Sequence, residues 1–298
     1  MNIFKRESVV LFFIDGLGIG FQTNDNPLAN IKGLEPLAHF REKKSKIYFD
    51  GILIPTNPRL NIEGRPQSAS GQTTILTGKN APQILGFHKQ GFPNAVLTEI
   101  IREHSLFLQL KNKGIEQITF ANTYTPQFFQ ETPRWKSATT VAVEAAGLRF
   151  NKISDLLGKK SLYHDFTNRF LIERGFDVPL FSPIEAAEIL AGLTNKNQFV
   201  LYEHFITDKI GHDQDFEKAR THLPELAEFI RETLNRIDLE NTTFILTSDH
   251  GNIEDLSVRN HTLNDVPTII WGRKKKQIAG QIKDLTDITP AILQLLTG

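Results

Sequence analysis

The segment VVLFFIDG, residues 9–16, decides the fold. Its apolar part, residues 9–14, is uninterrupted, which is typical of a strand that is buried on both faces of a sheet. A carboxylate, Asp15, follows the apolar run at once. We therefore expect an interior strand with a potential ligand directly after its carboxyl end.

Similar apolar runs alternate with helical patterns along the rest of the chain. Further strands are predicted at residues 117–122, 199–205, 243–246 and 266–271, and helices at residues 94–110 and 215–237. Residues 182–185, SPIE, have the pattern of a capping box, which predicts a helix that continues to about Leu193. Residues 289–290 open a short C-terminal helix. This alternation predicts an α/β protein with helices on the faces of its sheet.

The composition excludes several classes of protein. The chain has 298 residues, a length that suits one large or two modest domains with a sizeable core. Its 34 lysine and arginine residues balance 34 aspartate and glutamate residues, so the basic surface expected of a nucleic-acid partner is missing. Without cysteine, disulfides, thiolate zinc sites, iron–sulfur clusters and a cysteine nucleophile are excluded.

The apolar runs are too short to cross a membrane. The longest, such as residues 9–14, have the length of a strand. The N-terminal sequence MNIFKRESVVLFFID contains a basic pair, but its apolar stretch ends at Asp15. A secretory signal needs a longer apolar stretch and a small-residue cleavage site. We therefore expect a cytoplasmic protein without a membrane partner.

Residues 121–182 are less regular and are rich in aromatic side chains. The arginines of this segment are Arg134, Arg149, Arg169 and Arg174. We interpret the segment as a small inserted cap, and residues 1–120 and 183–298 as a metal-binding catalytic core. The alternative is that the segment simply continues the α/β core.

Three apolar strands end in potential metal ligands. These are Asp15 after the first strand, Asp208 and His212 after residues 199–205, and Asp249 and His250 after residues 243–246. A further histidine, His261, lies in the loop before the last strand. Because the carboxyl ends of parallel strands meet at one edge of a sheet, these side chains are expected to converge. One such residue is usually a loop cap, but the whole set indicates a site.

These side chains have the chemistry of a site for two metal ions. Aspartate and histidine without thiolates suit Mn²⁺, Zn²⁺ or Mg²⁺. One helical turn would point Asp208 and His212 to the same side. Asp249 and His250 are adjacent and could serve one ion around the tight turn that Gly251 permits. The set is too large for one tetrahedral ion but fits two, whose charge would attract an anionic substrate.

A second feature is SASGQTTILTG, residues 68–78, which has the pattern of a helix ending near Gly78. A serine at its start would place a hydroxyl among free backbone N–H groups, at the positive end of the helix dipole. A phosphoryl group is held most easily there. Ser68 and Ser70 both qualify, and the alternative is that either serine merely caps the helix.

Four motifs together resemble the alkaline phosphatase superfamily, most closely its branch of cofactor-independent phosphoglycerate mutases and phosphopentomutases. They are FFIDGLGIG at 12–20, SASGQTTILTG at 68–78, TDKIGH at 207–212, and TSDHGNIEDLS followed by HTLNDVP within 247–267. The last motif is the most specific, whereas residues 121–182 match nothing in the family. The resemblance implies a three-layer α/β/α sandwich with a mostly parallel central sheet.

The resemblance also implies a role for each residue. Asp15, Asp249 and His250 would bind one metal ion together with the nucleophile, and Asp208, His212 and His261 would bind the other. In the superfamily the nucleophile lies nine residues before the threonine of a Thr–Gly pair, here Thr77. In the mutases it lies three residues before a glycine, here Gly71, and both counts give Ser68. The mutases usually carry histidine after that glycine, where this chain has Gln72.

The implied reaction is phosphoryl transfer through a phosphoserine. Ser68, with its hydroxyl pKa lowered by the Mn²⁺ or Zn²⁺ ion that it shares with Asp15, would attack phosphorus in line. The two ions would stabilise charge on the non-bridging and leaving oxygens. Water would then release phosphate, or another hydroxyl would take the phosphoryl group, as in a mutase. Because a small cap excludes water poorly, we expect a phosphohydrolase acting on a small phosphorylated metabolite. Phosphomutase, phosphodiesterase and a non-catalytic metal-binding module are the alternatives.

Substrate contacts are expected from the cap and from the segment after the Ser68 helix. Arg134, Arg149 and Arg169, with Arg174, could clamp a phosphate or carboxylate group. His88, in GFHKQGFP, could line the opening of the site. The alternative for each arginine is a surface ion pair, and for His88 a structural role.

Overall fold

A six-stranded sheet forms the centre of the computed structural model, which describes residues 6–42, 47–130 and 135–298. The strands are β1 (Ser8–Ile14), β2 (Ile52–Thr56), β3 (Ile118–Phe120), β4 (Phe199–His204), β5 (Thr242–Thr247) and β6 (Val266–Trp271). Their order across the sheet is β2-β6-β5-β1-β4-β3. β1 is parallel to β4 and β5, and β3 is parallel to β4, whereas β6 is antiparallel to β5 and β2. The predicted α/β class with a mostly parallel sheet is confirmed.

Helices cover both faces of the sheet. In the described part of the chain they are α1 (Pro27–Asn30), α2 (Ser68–Thr77), α3 (Ala81–Leu85), α4 (Ala95–His104), α5 (Leu106–Asn112), α6 (Pro126–Gln130), α7 (Ala138–Ala145), α8 (Ile153–Leu157), α9 (Arg169–Glu173), α10 (Pro183–Thr194), α11 (Ile206–Asp213), α12 (Phe216–Arg236), α13 (Lys275–Ala279) and α14 (Ile288–Thr297). Helices α10 and α12 pack on one face, and α2, α5, α7 and α14 pack on the other. These layers form the expected α/β/α sandwich.

Strand β1 lies at the centre of the hydrophobic core. Its side chains alternate between the two faces, with Val10, Phe12 and Ile14 on one face and Val9, Leu11 and Phe13 on the other. The ring of Phe12 packs at 5.1 Å from that of Tyr202 and at 5.4 Å from that of Phe229. Because helices cover both faces, every residue of β1 is buried, as its apolar run predicts. Each large side chain buried in this way contributes about 1.5–3 kcal/mol.

One predicted helix was wrong in its extent, and one strand was missed. The single helix predicted over residues 94–110 is divided at Ser105, whose side chain accepts a hydrogen bond from Leu108 N and starts α5. Strand β2 was not predicted, because its short apolar run contains Pro55, a residue type that is typical of loops. Pro55 is tolerated since β2 lies at the edge of the sheet, where a missing N–H leaves no partner unsatisfied.

Residues 121–182 pack on both faces of the sheet. Leu162 and Phe166 belong to the core that contains α10 and α12, whereas Val141 and Ala142 of α7 belong to the opposite core. The division into a catalytic core and a small cap stays a prediction.

Within the described residues, no helix combines the length and the apolar character that are needed to cross a membrane.

The capping box that begins α10 provides a test of the fold. Ser182 Oγ accepts a hydrogen bond from Glu185 N at 3.2 Å, and Glu185 Oε2 accepts one from Ser182 N at 3.0 Å. Ser182→Ala removes the side-chain acceptor, so the free energy of unfolding should fall by about 1 kcal/mol. Urea denaturation measures the change, and Ser182→Thr, which keeps a hydroxyl, should stay within about 0.5 kcal/mol of the parent. An equal loss in both variants would contradict the capping role.

Candidate metal centre

Three neighbouring strands bring the predicted ligands to one edge of the sheet. Strands β5, β1 and β4 are adjacent and parallel, so their carboxyl ends coincide. Asp15 follows β1, Asp208 lies in α11 just after β4, and Asp249 follows β5. Gly16, at φ +76°, permits this convergence, because a Cβ atom there would lie 2.9 Å from Asp208 Cα.

One group of ligands consists of Asp208, His212 and His261. Asp208 and His212 lie one turn apart on α11, and His212 Nε2 is 3.3 Å from Asp208 Oδ2. His261 Nε2 lies 3.4 Å from Asp208 Oδ1 and 3.1 Å from His212 Nε2. The Nδ1 atoms of His212 and His261 lie 2.8 Å from the carbonyl oxygens of Arg259 and Pro66. Since a carbonyl only accepts, each Nδ1 donates its proton, and both Nε2 atoms are left to bind a cation.

The electrostatics of this group favour positive charge. Burial by itself would raise the pKa of Asp208, but hydrogen bonds with His212 and His261 hold that pKa well below its usual range. The hydrogen bond to Asp208 raises the pKa of His212 to about 9, against the opposing effect of burial. The carboxylate is therefore ionised and attracts a cation or a proton to the space between the two imidazoles.

A second group consists of Asp15, Asp208 and His250, with Asp249 beside it. His250 Nε2 lies 3.2 Å from Asp15 Oδ1 and 3.5 Å from Asp249 Oδ2. Among the described residues, Asp15 Oδ1, Asp249 Oδ1 and His250 Nδ1 are buried without a hydrogen-bond partner. Burial, followed by the charges of neighbouring aspartates, raises the pKa of Asp15 and of Asp249 well above the usual range.

These residues fit a metal site. Crowded buried acceptors without partners are unfavourable, and a divalent cation supplies the missing positive charge. The two groups share Asp208, and the rings of His250 and His261 stack at 3.6 Å with an interplanar angle of 12°. The donor set of oxygen and imidazole nitrogen suits divalent cations of the first transition row.

Ser68 lies at the start of helix α2, next to the second group. Its Oγ atom is 3.0 Å from His250 Nε2, and the N-terminus of α2 has no side-chain cap. Ser70, by contrast, is fully buried, and its hydroxyl donates to Gln67 O and accepts from Lys89 N. Only Ser68 of these two serines lines the cavity at the metal ligands.

Two supporting residues were missed because their role depends on the fold. Gln72 Nε2 donates to Asp15 Oδ2 at 3.1 Å and to Asp249 Oδ2 at 3.3 Å, so it links the carboxylates of two strands. Asn252 Nδ2 donates to Asp208 Oδ1 at 2.7 Å. The only sequence signal for Asn252 was its place in the motif TSDHGNIEDLS.

Glu254, in the same motif, holds the loops around the site together. Its carboxylate accepts hydrogen bonds from the backbone of Gly18 at 3.0 Å and of Asn252 at 2.8 Å. It also accepts from Thr262 Oγ1 at 2.5 Å and from Asn264 Nδ2 at 3.0 Å. Glu254 is 1% exposed, so it joins the loop after β1 to the connection between β5 and β6 through buried hydrogen bonds.

The ligands open onto a cavity of about 510 Å³. Besides Asp15, Ser68 and Asp208, it is lined by Phe92, Ser137, Glu203, Phe205 and Lys209. Glu203 was not predicted, since it lies inside an apolar strand. Burial, followed by the charge of Asp15, raises the pKa of Glu203 to about 7.

The predicted substrate residues lie elsewhere or are engaged. Arg149 pairs with Asp155 at 2.8 Å, and Arg169 pairs with Glu225 at 3.0 Å. His88 Nε2 lies 3.3 Å from Ile62 O, and Arg174 Nη1 donates to Tyr163 Oη at 3.4 Å. None of these four side chains lines the cavity of the metal ligands. Arg134 lies outside the described residues.

The fold and the ligand groups define a metal-binding enzyme of the α/β class. The chain belongs to the metalloenzyme superfamily, whose sequence model matches residues 149–297. That range contains Asp208, His212, Asp249, His250 and His261, whereas Asp15 and Ser68 lie before it. The resemblance that the motifs indicate is therefore confirmed at the level of the superfamily.

Known proteins with similar sequences are phosphoglycerate mutases. The 2,3-bisphosphoglycerate-independent phosphoglycerate mutase of Ehrlichia canis is 32% identical over 108 residues, which cover 34% of this chain and 21% of that protein. The enzyme of the same name from Wolbachia pipientis is 31% identical over 128 residues, which cover 40% of this chain and 25% of that protein. The matches thus span only about a fifth to a quarter of these relatives.

Solved structures share the fold over nearly the whole chain. The PH0037 protein from Pyrococcus horikoshii aligns with a TM-score of 0.53 and 17% identity, covering 98% of this chain and 97% of that one. A cold-active alkaline phosphatase from Shewanella sp. aligns with a TM-score of 0.54 and 12% identity, covering 97% of this chain and 99% of that one. At these identities the likeness establishes the fold.

Asp208 belongs to both ligand groups, so its charge should control metal binding. Asp208→Asn keeps the shape but removes the charge, and the affinity for Mn²⁺ or Zn²⁺ should fall at least about tenfold. Isothermal titration calorimetry measures the affinity. Asp213→Asn is the control, because Asp213 is exposed on the same helix and pairs with Lys218 at 3.2 Å. Equal affinities in both variants would place the metal elsewhere.

The buried hydrogen bonds of Glu254 should contribute to the free energy of unfolding. Glu254→Ala leaves two buried backbone N–H groups without an acceptor, so the free energy of unfolding should fall by about 2–4 kcal/mol. Asp255→Ala, at the neighbouring half-buried position, should change it by less than about 0.5 kcal/mol. Chemical denaturation of the metal-free protein compares them, and similar values would contradict the bracing role.

Proposed function

We propose that this protein is a metal-dependent phosphohydrolase that cleaves a small phosphate monoester through a phosphoserine at Ser68. The observation that carries the proposal is the position of Ser68 Oγ, at the start of helix α2 and 3.0 Å from His250 Nε2. The same hydroxyl lines the cavity that contains Asp15 and Asp208. Membership of the metalloenzyme superfamily and relatives named phosphoglycerate mutase support phosphoryl transfer as the reaction class.

The residues divide into two proposed cation sites. Asp15, Asp249 and His250 would hold one cation together with Ser68, and Asp208, His212 and His261 would hold the other. Mn²⁺ or Zn²⁺ suits this donor set, and Mg²⁺ is compatible with its carboxylates. Bound there, the cations would lower the pKa of the Ser68 hydroxyl and offset the charge of the phosphoryl oxygens.

Ser68 is the group that forms the covalent bond. Its hydroxyl releases a proton to solvent, its oxygen bonds to phosphorus, and the bond between phosphorus and the ester oxygen breaks. The departing alcohol takes a proton from water. The uncapped N-terminus of α2 offers its dipole to the phosphoryl oxygens. Water then cleaves the phosphoserine, releases phosphate and restores the hydroxyl.

A phosphomutase is the second candidate, and the names of the curated relatives favour it. In a mutase, the dephosphorylated product stays beside the phosphoserine and takes the phosphoryl group on another hydroxyl. Hydrolysis is preferred here because residues 121–182 leave little chain for a cap that would exclude water.

Ser68→Ala tests the nucleophile. Release of phosphate from p-nitrophenyl phosphate with Mn²⁺ or Zn²⁺ should fall about a thousandfold or more, since the variant lacks the oxygen that bonds to phosphorus. Metal content, measured by elemental analysis, should persist because aspartates and histidines supply most ligands. Ser70→Ala, at a buried position outside the cavity, should retain most of the turnover. The reverse pattern would assign the nucleophile to Ser70.

The fate of phosphorus separates the alternatives. Phosphorus NMR should detect free phosphate from a phosphohydrolase and an isomerised ester from a mutase. If the metal-loaded protein turned over no phosphoester, both reactions would be excluded and a metal-binding module would be favoured.

A further inference from the structure

The cavity beside Ser68 has an aromatic wall that the phosphoryl chemistry does not require. Phe92 and Phe205 both line the cavity, and they are 47% and 39% exposed. Two phenyl rings exposed in one cavity offer apolar surface whose burial by a ligand would be favourable. Exposed rings that share a cavity with a reactive centre indicate a surface for the organic part of a substrate.

The ring of Phe205 is held in position by a stacking contact. It lies between β4 and α11, as the residue that precedes the first turn of α11. Its ring stacks on the ring of His164, with the centroids 3.9 Å apart and an interplanar angle of 29°. One face of Phe205 is therefore covered by protein, and its exposed area is available to a flat group.

Phe92 belongs to a different segment. It follows Gly91, whose φ of +71° sets the turn, and it precedes Pro93. This loop comes after the Ser68 helix in sequence, whereas Phe205 comes after β4. The cavity thus obtains one ring from each of two segments that are far apart in sequence.

Within the described residues, each basic side chain of the cavity lies beside a carboxylate. Among the described residues, its basic side chains are Lys209 and His212. Lys209 lies 3.5 Å from Asp213, and His212 lies 3.3 Å from Asp208. Glu203 adds a further carboxyl group to the same lining. A carboxylate or a second phosphate on the substrate would have to compete with these carboxylates for the described cations.

We infer that the substrate is a phosphate monoester whose alcohol part is planar and apolar and carries no second anionic group. The rings of Phe92 and Phe205 would pack against this part while the phosphoryl group lies at Ser68 and the metal ligands. The inference rests on the proposed function, because it takes the phosphoryl position as given. It disfavours phosphoglycerate, whose carboxylate would compete with Asp213 and Asp208 for the cavity cations that the structure describes.

Binding of phosphonates tests the inference without requiring turnover. Benzylphosphonate, ethylphosphonate and 2-carboxyethylphosphonate share a phosphonate group and differ in the attached ring or carboxylate. Titration calorimetry with the metal-loaded protein should give a Kd for benzylphosphonate about tenfold lower than for ethylphosphonate. The carboxyethyl compound should bind more weakly than the ethyl compound, since its carboxylate would compete with Asp213 for Lys209 and would lie near Glu203.

Two ring deletions and a matched control locate the binding surface. Phe92→Ala and Phe205→Ala should each reduce the preference for benzyl over ethyl, measured as the ratio of Kd values, at least about threefold. Phe87→Ala should leave that ratio unchanged, because Phe87 is 49% exposed in the segment before Phe92 but does not line the cavity. Thermal unfolding verifies that each variant is folded.

Equal Kd values for the benzyl and ethyl compounds, or tightest binding of the carboxyethyl compound, would overturn the inference. So would an unchanged benzyl preference in both ring deletions. Failure of the proposed function has a different signature. In that case the parent protein still prefers the benzyl compound and the ring deletions still weaken this preference, but benzyl phosphate is not hydrolysed.

Discussion

The structure depends on one electrostatic constraint, which is that three aspartates meet at a largely buried edge of the sheet. Parallel strands β5, β1 and β4 end at the same level, so Asp249, Asp15 and Asp208 are forced together. Like charges in a medium of low polarity repel, and ionised carboxylates are costly to bury. The raised pKa values of Asp15 and Asp249 express that cost. The histidines relieve it only in part, since buried acceptors remain without partners, and this deficit is the physical basis for a cation site.

Much of the surrounding structure holds these acceptors in place. Backbone carbonyls fix the imidazoles of His212 and His261 so that their Nε2 atoms face Asp208. Helix α2 approaches through Gly71, where a Cβ atom would lie 2.9 Å from Asp249 Cβ. Glu254 joins the loops through buried hydrogen bonds. The glycines and the outer hydrogen bonds are therefore consequences of assembling like charges at one point.

The cavity combines two recognition chemistries. The polar floor around Ser68 suits a phosphoryl group, whereas Phe92 and Phe205 present apolar surface to the remainder of a ligand. Under the proposed function, charge would fix the reacting group and shape would select the alcohol. Among the described residues, Lys209 and His212 of this lining lie beside Asp213 and Asp208, respectively.

The sequence by itself determined the α/β class, the central strand and the residue types at the strand ends, because apolar periodicity and the residues that follow a strand are local properties. It could not separate α4 from α5 at Ser105, since that boundary depends on one capping hydrogen bond. Only the tertiary structure decided that Glu203, Phe92 and Phe205 share a cavity with Ser68, and that Arg149 pairs with Asp155 instead. The physical reason is that side-chain partners are set by the packing of segments distant in sequence, which no local pattern encodes.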